Sequence, residues 1–181
     1  MANLLILSSP ETTEIIDGAE NILNRALAPF PKINEQLDGC FDHTDPAGLV
    51  TIEPRWRTIN DLAKRGVRMR YLTEIRKDNI DYCKEMMGIG IELISINNID
   101  VRDLQEPLKP KLTTLIVDRK FSLEVEVKDD SKDNSYDAVG LATYSNSEPT
   151  VWSHISKFET LWVQTELGVS KNNNKQLLNS R

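Results

Sequence analysis

The stretch KLTTLIVDRKFSLEVEV, Lys111 to Val127, constrains the fold of this chain more than any other segment. Leu112 to Val117 is apolar and β-branched, the pattern of a buried strand. Phe121 to Val127 alternates strictly, with Phe121, Leu123, Val125 and Val127 apolar and Ser122, Glu124 and Glu126 polar. Such alternation marks an antiparallel strand with one face on a core and one in water. Asp118-Arg119-Lys120 joins the two as a turn.

Upstream, short strands and helices alternate. Asn3 to Leu7 reads as a short strand. A helix begins near Asp17, with Glu20 in the capping-box position and Ile22, Leu23, Ala26 and Leu27 as its stripe, and Pro29 and Pro31 stop it. Asn34 to Asp42 carries the next strand and runs into a turn-rich HTDPAG. Ile52, Trp56, Ile59, Leu62 and Ala63 predict one helix over 50–64, closed by Arg65-Gly66. Val67 to Leu72 is a strand, Lys77 to Met87 a helix, and Ile91 to Ile96 a further strand. This β-α-β-α-β order predicts parallel strands covered by helices. After a Pro-containing loop over 97–110 come the two strands above, a solvated turn, a strand over Tyr136 to Tyr144, and a closing helix over Val151 to Thr165. The expected fold class is α/β, with a mixed, largely parallel central sheet flanked by helices. Residues 1–167 form one domain in this reading, and 168–181 a frayed polar tail or linker.

The apolar strand followed by Asp118, and the later Tyr144-Ser145-Asn146, make the chain resemble the phospholipase D superfamily. It is also similar to the amino-terminal sensory domain of archaeal two-component histidine kinases. That resemblance rests on Arg65 to Leu93, on Tyr144-Ser145-Asn146, on Phe158-Glu159-Thr160-Leu161-Trp162, and on Thr13 to Asn21. It covers most of Glu11 to Trp162. The chain departs from those relatives at 95–100, where Ser95-Ile96-Asn97-Asn98-Ile99-Asp100 replaces a His-Leu-Asp-Gly-like stretch.

Phospholipase D chemistry uses a His-x-Lys-x4-Asp motif, in which a neutral imidazole attacks phosphorus and an amine stabilises the phosphoryl oxygens. The equivalent positions here are Lys111, Thr113 and Asp118. An ammonium is no nucleophile at neutral pH, and a threonine hydroxyl supplies no charge. The two histidines, His43 and His154, are not followed two places on by lysine. The expectation is a silenced site with no catalytic residue. Motifs for nucleotide phosphates, dinucleotides, zinc proteases and serine hydrolases are absent from the sequence, so no cofactor and no metal are expected. Cys40 and Cys83 lack metal spacing and read as buried small hydrophobes.

Ligands of open α/β sheets bind beyond the carboxyl ends of parallel strands. The polar residues at the expected strand ends are Asp42, Thr73, Glu74, Asn97, Tyr144, Ser145 and Asn146, and these are the candidate ligand contacts for a small polar molecule. Each also suits a helix cap or a turn. The net charge of −6 argues against nucleic acid as a partner, and no apolar run is long enough to cross a membrane. With no basic, apolar leader, the expected location is the cytoplasm. The resemblance implies a non-catalytic sensor domain of a histidine kinase, homodimeric and coupled to a downstream signalling domain. The alternative is the effector-binding domain of an archaeal transcription regulator.

Overall fold

The computed structural model describes residues 10–95, 112–129, 131–132 and 135–179. The strand expected at Asn3 to Leu7, and the positions Asn97 and Lys111, lie outside them. Seven strands form one sheet: β1 (Thr13–Ile16), β2 (Gln36–Cys40), β3 (Arg68–Thr73), β4 (Glu92–Ser95), β5 (Leu112–Val117), β6 (Phe121–Val127) and β7 (Val139–Ser145), in the order β1-β7-β6-β5-β2-β3-β4. The helices are α1 (Ala19–Leu27), α2 (Asp45–Thr51), α3 (Glu53–Lys64), α4 (Ile80–Gly88), α5 (Ser135–Ala138) and α6 (Glu148–Asn179).

The mixed α/β sheet with flanking helices is the expected class, but its parallel part is confined to the pairs β2–β3 and β3–β4. The other pairings, β1–β7, β7–β6, β6–β5 and β5–β2, are antiparallel. One face of the sheet carries Leu37, Met69, Tyr71, Leu115, Leu123 and Val125, packed with residues of α1, α3 and α4 in the larger core. The other face carries Cys40, Leu72 and Ile116, covered by Val151, Ile155, Phe158, Leu161 and Trp162 of α6. Period-two alternation along each strand therefore feeds two separate cores.

Four local expectations change. The helix read over 50–64 is two helices, interrupted at Ile52, whose ψ of 102° is extended. Pro46 and Pro54 each stand in the first turn of their helix, where a missing amide costs nothing, so HTDPAG starts a helix instead of forming only a turn. Thr13–Ile16, where no strand was expected, is an edge strand on β7. The closing helix runs beyond Thr165 through the polar segment to Asn179.

Two turns follow from backbone chemistry. At the β5–β6 hairpin, Asp118 and Arg119 both have positive φ, 48° and 56°, as the two central residues of a primed turn require, and the Lys120 amide donates to the Val117 carbonyl at 2.9 Å. The Asp118 carboxylate accepts hydrogen bonds from the amides of Asn34 (3.1 Å), Glu35 (3.0 Å) and Gln36 (3.0 Å), which fixes the start of β2. Gly39 in β2 admits a close approach: a β-carbon there would lie 1.9 Å from the Phe41 ring. That ring folds back over the strand and stacks on Tyr71, with centroids 3.9 Å apart.

Candidate functional site

A cavity of about 110 Å³ lies between the larger-core face of the sheet and helices α1, α2 and α3. Its walls are largely aliphatic, with Ile22, Leu37, Leu115, Leu123 and Val125 among them. Asp42, Asp45, Arg55, Tyr71 and Thr113 also line it. They meet there because β2 and β3 run parallel and β5 runs against them, so the carboxyl ends of the first two lie beside the start of the third.

The polar groups are tightly arranged. Asp45 opens α2; its Oδ1 accepts from Arg55 Nη2 at 2.8 Å, and its Oδ2 accepts from the Tyr71 hydroxyl. Burial works against the Arg55 charge, but Asp45 beside it more than offsets this and raises its pKa. Burial, with Asp45 adjacent, pushes the Tyr71 phenol well above its ordinary value, so Tyr71 stays a donor.

Asp42 differs. Its Oδ1 accepts from the Thr44 amide (2.6 Å), the Thr44 hydroxyl (2.6 Å) and the Asp45 amide (3.2 Å). Its Oδ2 is buried and has no hydrogen-bond partner among the described residues. Asp42 is only 7% exposed. Burial raises its carboxyl above the ordinary 3.8; the Thr44 hydroxyl opposes this and the Asp45 charge reinforces it. Arg55 and Arg70 also line the cavity, Arg55 beside the two carboxylates.

The other sequence candidates fall into two places. Thr73 is fully buried and donates to the Asp42 carbonyl at 2.9 Å, and Glu74 pairs with Arg76 at 2.7 Å; both lie at the same end of the sheet as Asp42. Tyr144, Ser145 and Asn146 lie at the opposite end, since β7 runs against β2. Asn146 Oδ1 accepts from the Thr12 amide at 2.6 Å, and the Ser145 and Thr13 hydroxyls are 3.0 Å apart, so this trio ties β1 to β7. Arg25 lies over the Tyr144 ring, 3.5 Å from its centre. One pocket spanning all the strand ends is therefore not what the topology builds. Asp45, Arg55 and Tyr71 escaped the sequence reading; the Asp-Pro pair at the start of a helix was the only signal for Asp45.

The two histidines do not share a cleft. His43 follows β2 at the cavity end, and its carbonyl accepts from Asn79 Nδ2 at 2.8 Å. His154 lies on α6, on the other face of the sheet, with Nδ1 2.8 Å from the Ser122 hydroxyl. Its pKa is lowered by burial, against the pull of Glu124. Among the described residues no cluster of three histidine, cysteine, aspartate or glutamate side chains is placed to hold a metal.

No family model matches the chain, and no curated protein matches it in sequence. Solved structures do match. Nuc of Salmonella typhimurium, a phospholipase D family member, superposes with a TM-score of 0.62 at 14% identity, over 86% of this chain and 96% of that one. NucT from Helicobacter pylori gives 0.60 at 12% identity, over 86% of this chain and 98% of that one. The fold is phospholipase D-like. Thr113, at the start of β5, stands in the cavity wall.

The same phospholipase D-like fold occurs in TrmBL2, an archaeal chromatin protein described as showing a novel mode of DNA binding. Its TM-score is 0.51 at 19% identity over 88% of this chain. This chain spans 55% of the length of that one. The exclusion of nucleic-acid partners therefore does not stand: a DNA-binding protein uses this fold. Net charge sums over a whole surface and does not decide what one local patch contacts. Among the described residues no helix is long and apolar enough to cross a membrane.

Proposed function

We propose that this phospholipase D-like domain binds a small ligand without acting on it, and serves as the input domain of a larger regulator. The observation that carries the reading is the cavity beside Thr113. Where the fold's enzymes need an imidazole and an amine facing a phosphate, this chain supplies a hydroxyl, aliphatic walls and two aspartates, one of them paired with Arg55. A carboxylate beside a phosphodiester repels it instead of stabilising it.

The likeness to TrmBL2 supports a DNA-binding regulator as the host, with this domain as its effector-binding part. The sequence resemblance over Arg65 to Leu93 supports instead a two-component sensor kinase. In either host, ligand binding would bias α6, the 32-residue helix that covers the second core and extends past it. Incubation with bis(p-nitrophenyl) phosphate tests the loss of chemistry, with no release above buffer expected. Turnover that a cavity-filling Val125→Phe variant abolishes would overturn the proposal.

A further inference from the structure

The apolar face of α1 is turned to the sheet but does not close against it. Ala19, Ile22, Leu23, Ala26 and Leu27 recur at helical spacing, and all of them line the cavity. Of these only Ile22 is fully buried; the others stay half-buried. Ala19 and Ala26 carry single methyl groups and fill little of the space between the helix and Leu115, Leu123 and Val125 of the sheet. Walls that face a void forgo the dispersion contacts a packed neighbour would give them.

The charged side chains of the lining are committed elsewhere. Arg55 Nη2 donates to Asp45 Oδ1 at 2.8 Å, and the other Asp45 oxygen accepts from Tyr71. Arg70 reaches to the α6 side of the sheet, where Asp38 and Glu159 hold it. Asp42 Oδ1 accepts from Thr44 and Asp45, and its Oδ2 is buried, with no surface to offer a ligand. Two cations and two carboxylates in the lining also cancel in formal charge. An ion entering would lose its hydration and find no accessible counter-charge. Resting on the reading of the cavity as a ligand site, we propose that its occupant is an uncharged, apolar molecule seated between α1 and the sheet. An apolar cavity of ~150 Å³ stays dry and accepts benzene, so one of about 110 Å³ suits about six non-hydrogen atoms.

The probes are benzene, pyridine and dimethyl phosphate, each added to the full chain at neutral pH, where pyridine is uncharged. Benzene and pyridine share size and shape and differ by one hydrogen-bond acceptor; dimethyl phosphate is a small anionic phosphodiester. Binding is followed by the methyl NMR shifts of Ile22, Leu115 and Val125, and by nuclear Overhauser contacts from the probe to those methyls. Benzene is expected to bind at least about tenfold more tightly than pyridine, a difference of about 1.4 kcal/mol. Dimethyl phosphate is expected to leave the methyls unmoved. Ala26→Leu, which adds carbon to the α1 wall, is expected to weaken benzene by about tenfold or more. Benzene binding unchanged in Ala26→Leu places it at another site and overturns the proposal. If that variant does not fold, Overhauser contacts from benzene to Ile22 and Leu115 in the wild type decide the place, and their absence overturns the proposal. Pyridine or dimethyl phosphate binding as tightly as benzene, with the methyls moving, overturns the apolar assignment and leaves the cavity a ligand site. If no probe moves the methyls, the apolar proposal and the ligand-site reading both fall.

Discussion

Arg70 of β3 holds Asp38 of β2 through two parallel hydrogen bonds, Nε to Oδ1 and Nη2 to Oδ2, each 2.8 Å long. The same guanidinium donates to Glu159 of α6 at 2.8 and 3.1 Å, and lies 4.8 Å from the Phe158 ring centre and 5.3 Å from that of Trp162. One buried side chain thus joins two parallel strands to the helix that covers them. Burial works against its charge, but the bonds to Asp38 and Glu159 more than offset this and raise its pKa.

Replacing Arg70 with methionine removes the cation and leaves Asp38 buried with, among the described residues, only Gln36 as a side-chain partner. Breaking one side of a buried pair costs about 3–5 kcal/mol, whereas replacing both sides with apolar groups is close to neutral. Urea denaturation is expected to show that loss for Arg70→Met, and a recovery of most of it in the double variant with Asp38→Leu. A double variant no more stable than the single one would contradict this account.

Asp118 is a structural anchor in this chain. Asp118→Ala strips three consecutive amides of their shared acceptor and is expected to cost about 3 kcal/mol or more. Asp118→Asn, which keeps an acceptor oxygen, is expected to lose about half as much. Chemical denaturation checks both, and equal stability of Asp118→Ala and the wild type would remove the anchor.

The buried Asp42 carboxyl makes stability depend on pH. Its folded pKa is raised above 3.8, chiefly by burial, with Asp45 adding to the effect and Thr44 and His43 opposing it. A raised value means that the fold favours the protonated form. The associated stability is present below 3.8 and is lost as pH rises through the folded value. Asp42→Asn carries no such charge, so its stability relative to the wild type is expected to climb across that window and then level off. Denaturation midpoints of both proteins against pH test this, and a constant difference would be the wrong result.

The thiols of Cys40 and Cys83 are both pushed up to about 11 by burial, Cys40 against a weak opposing pull from Lys157. Thiolates are the reactive species, so neither residue should react with a disulfide reagent at neutral pH in the folded protein. Both should react in denaturant. Fast labelling of either without denaturant would show that its core opens.

Much of the fold was legible in the sequence because it rests on local patterning. The alternation from Phe121 to Val127 named the half-buried strand, and the stripe from Ile22 to Leu27 named α1. Thr13–Ile16 was not legible, since its residues are largely exposed and its strand character comes from pairing with β7. The break at Ile52 was missed because Trp56, Ile59 and Leu62 keep helical spacing beyond it. Among the candidate contacts, Asp42 was found as a strand-end polar residue, but its buried company was not: Arg55 and Tyr71 are separated from it in sequence and sit on elements that read as ordinary core.

By itself the sequence determined the α/β class, the hairpin at Asp118 and the absence of histidine from the Lys111-x-Thr113 positions, because each of these follows from residues close together in the chain. Only the tertiary structure decided that the sheet is mostly antiparallel, that the strand-end candidates divide between opposite ends of it, and that Asp42 is left with a buried oxygen beside a cavity. Those outcomes depend on which strands become neighbours, and strand order is set by long-range packing that local periodicity does not encode.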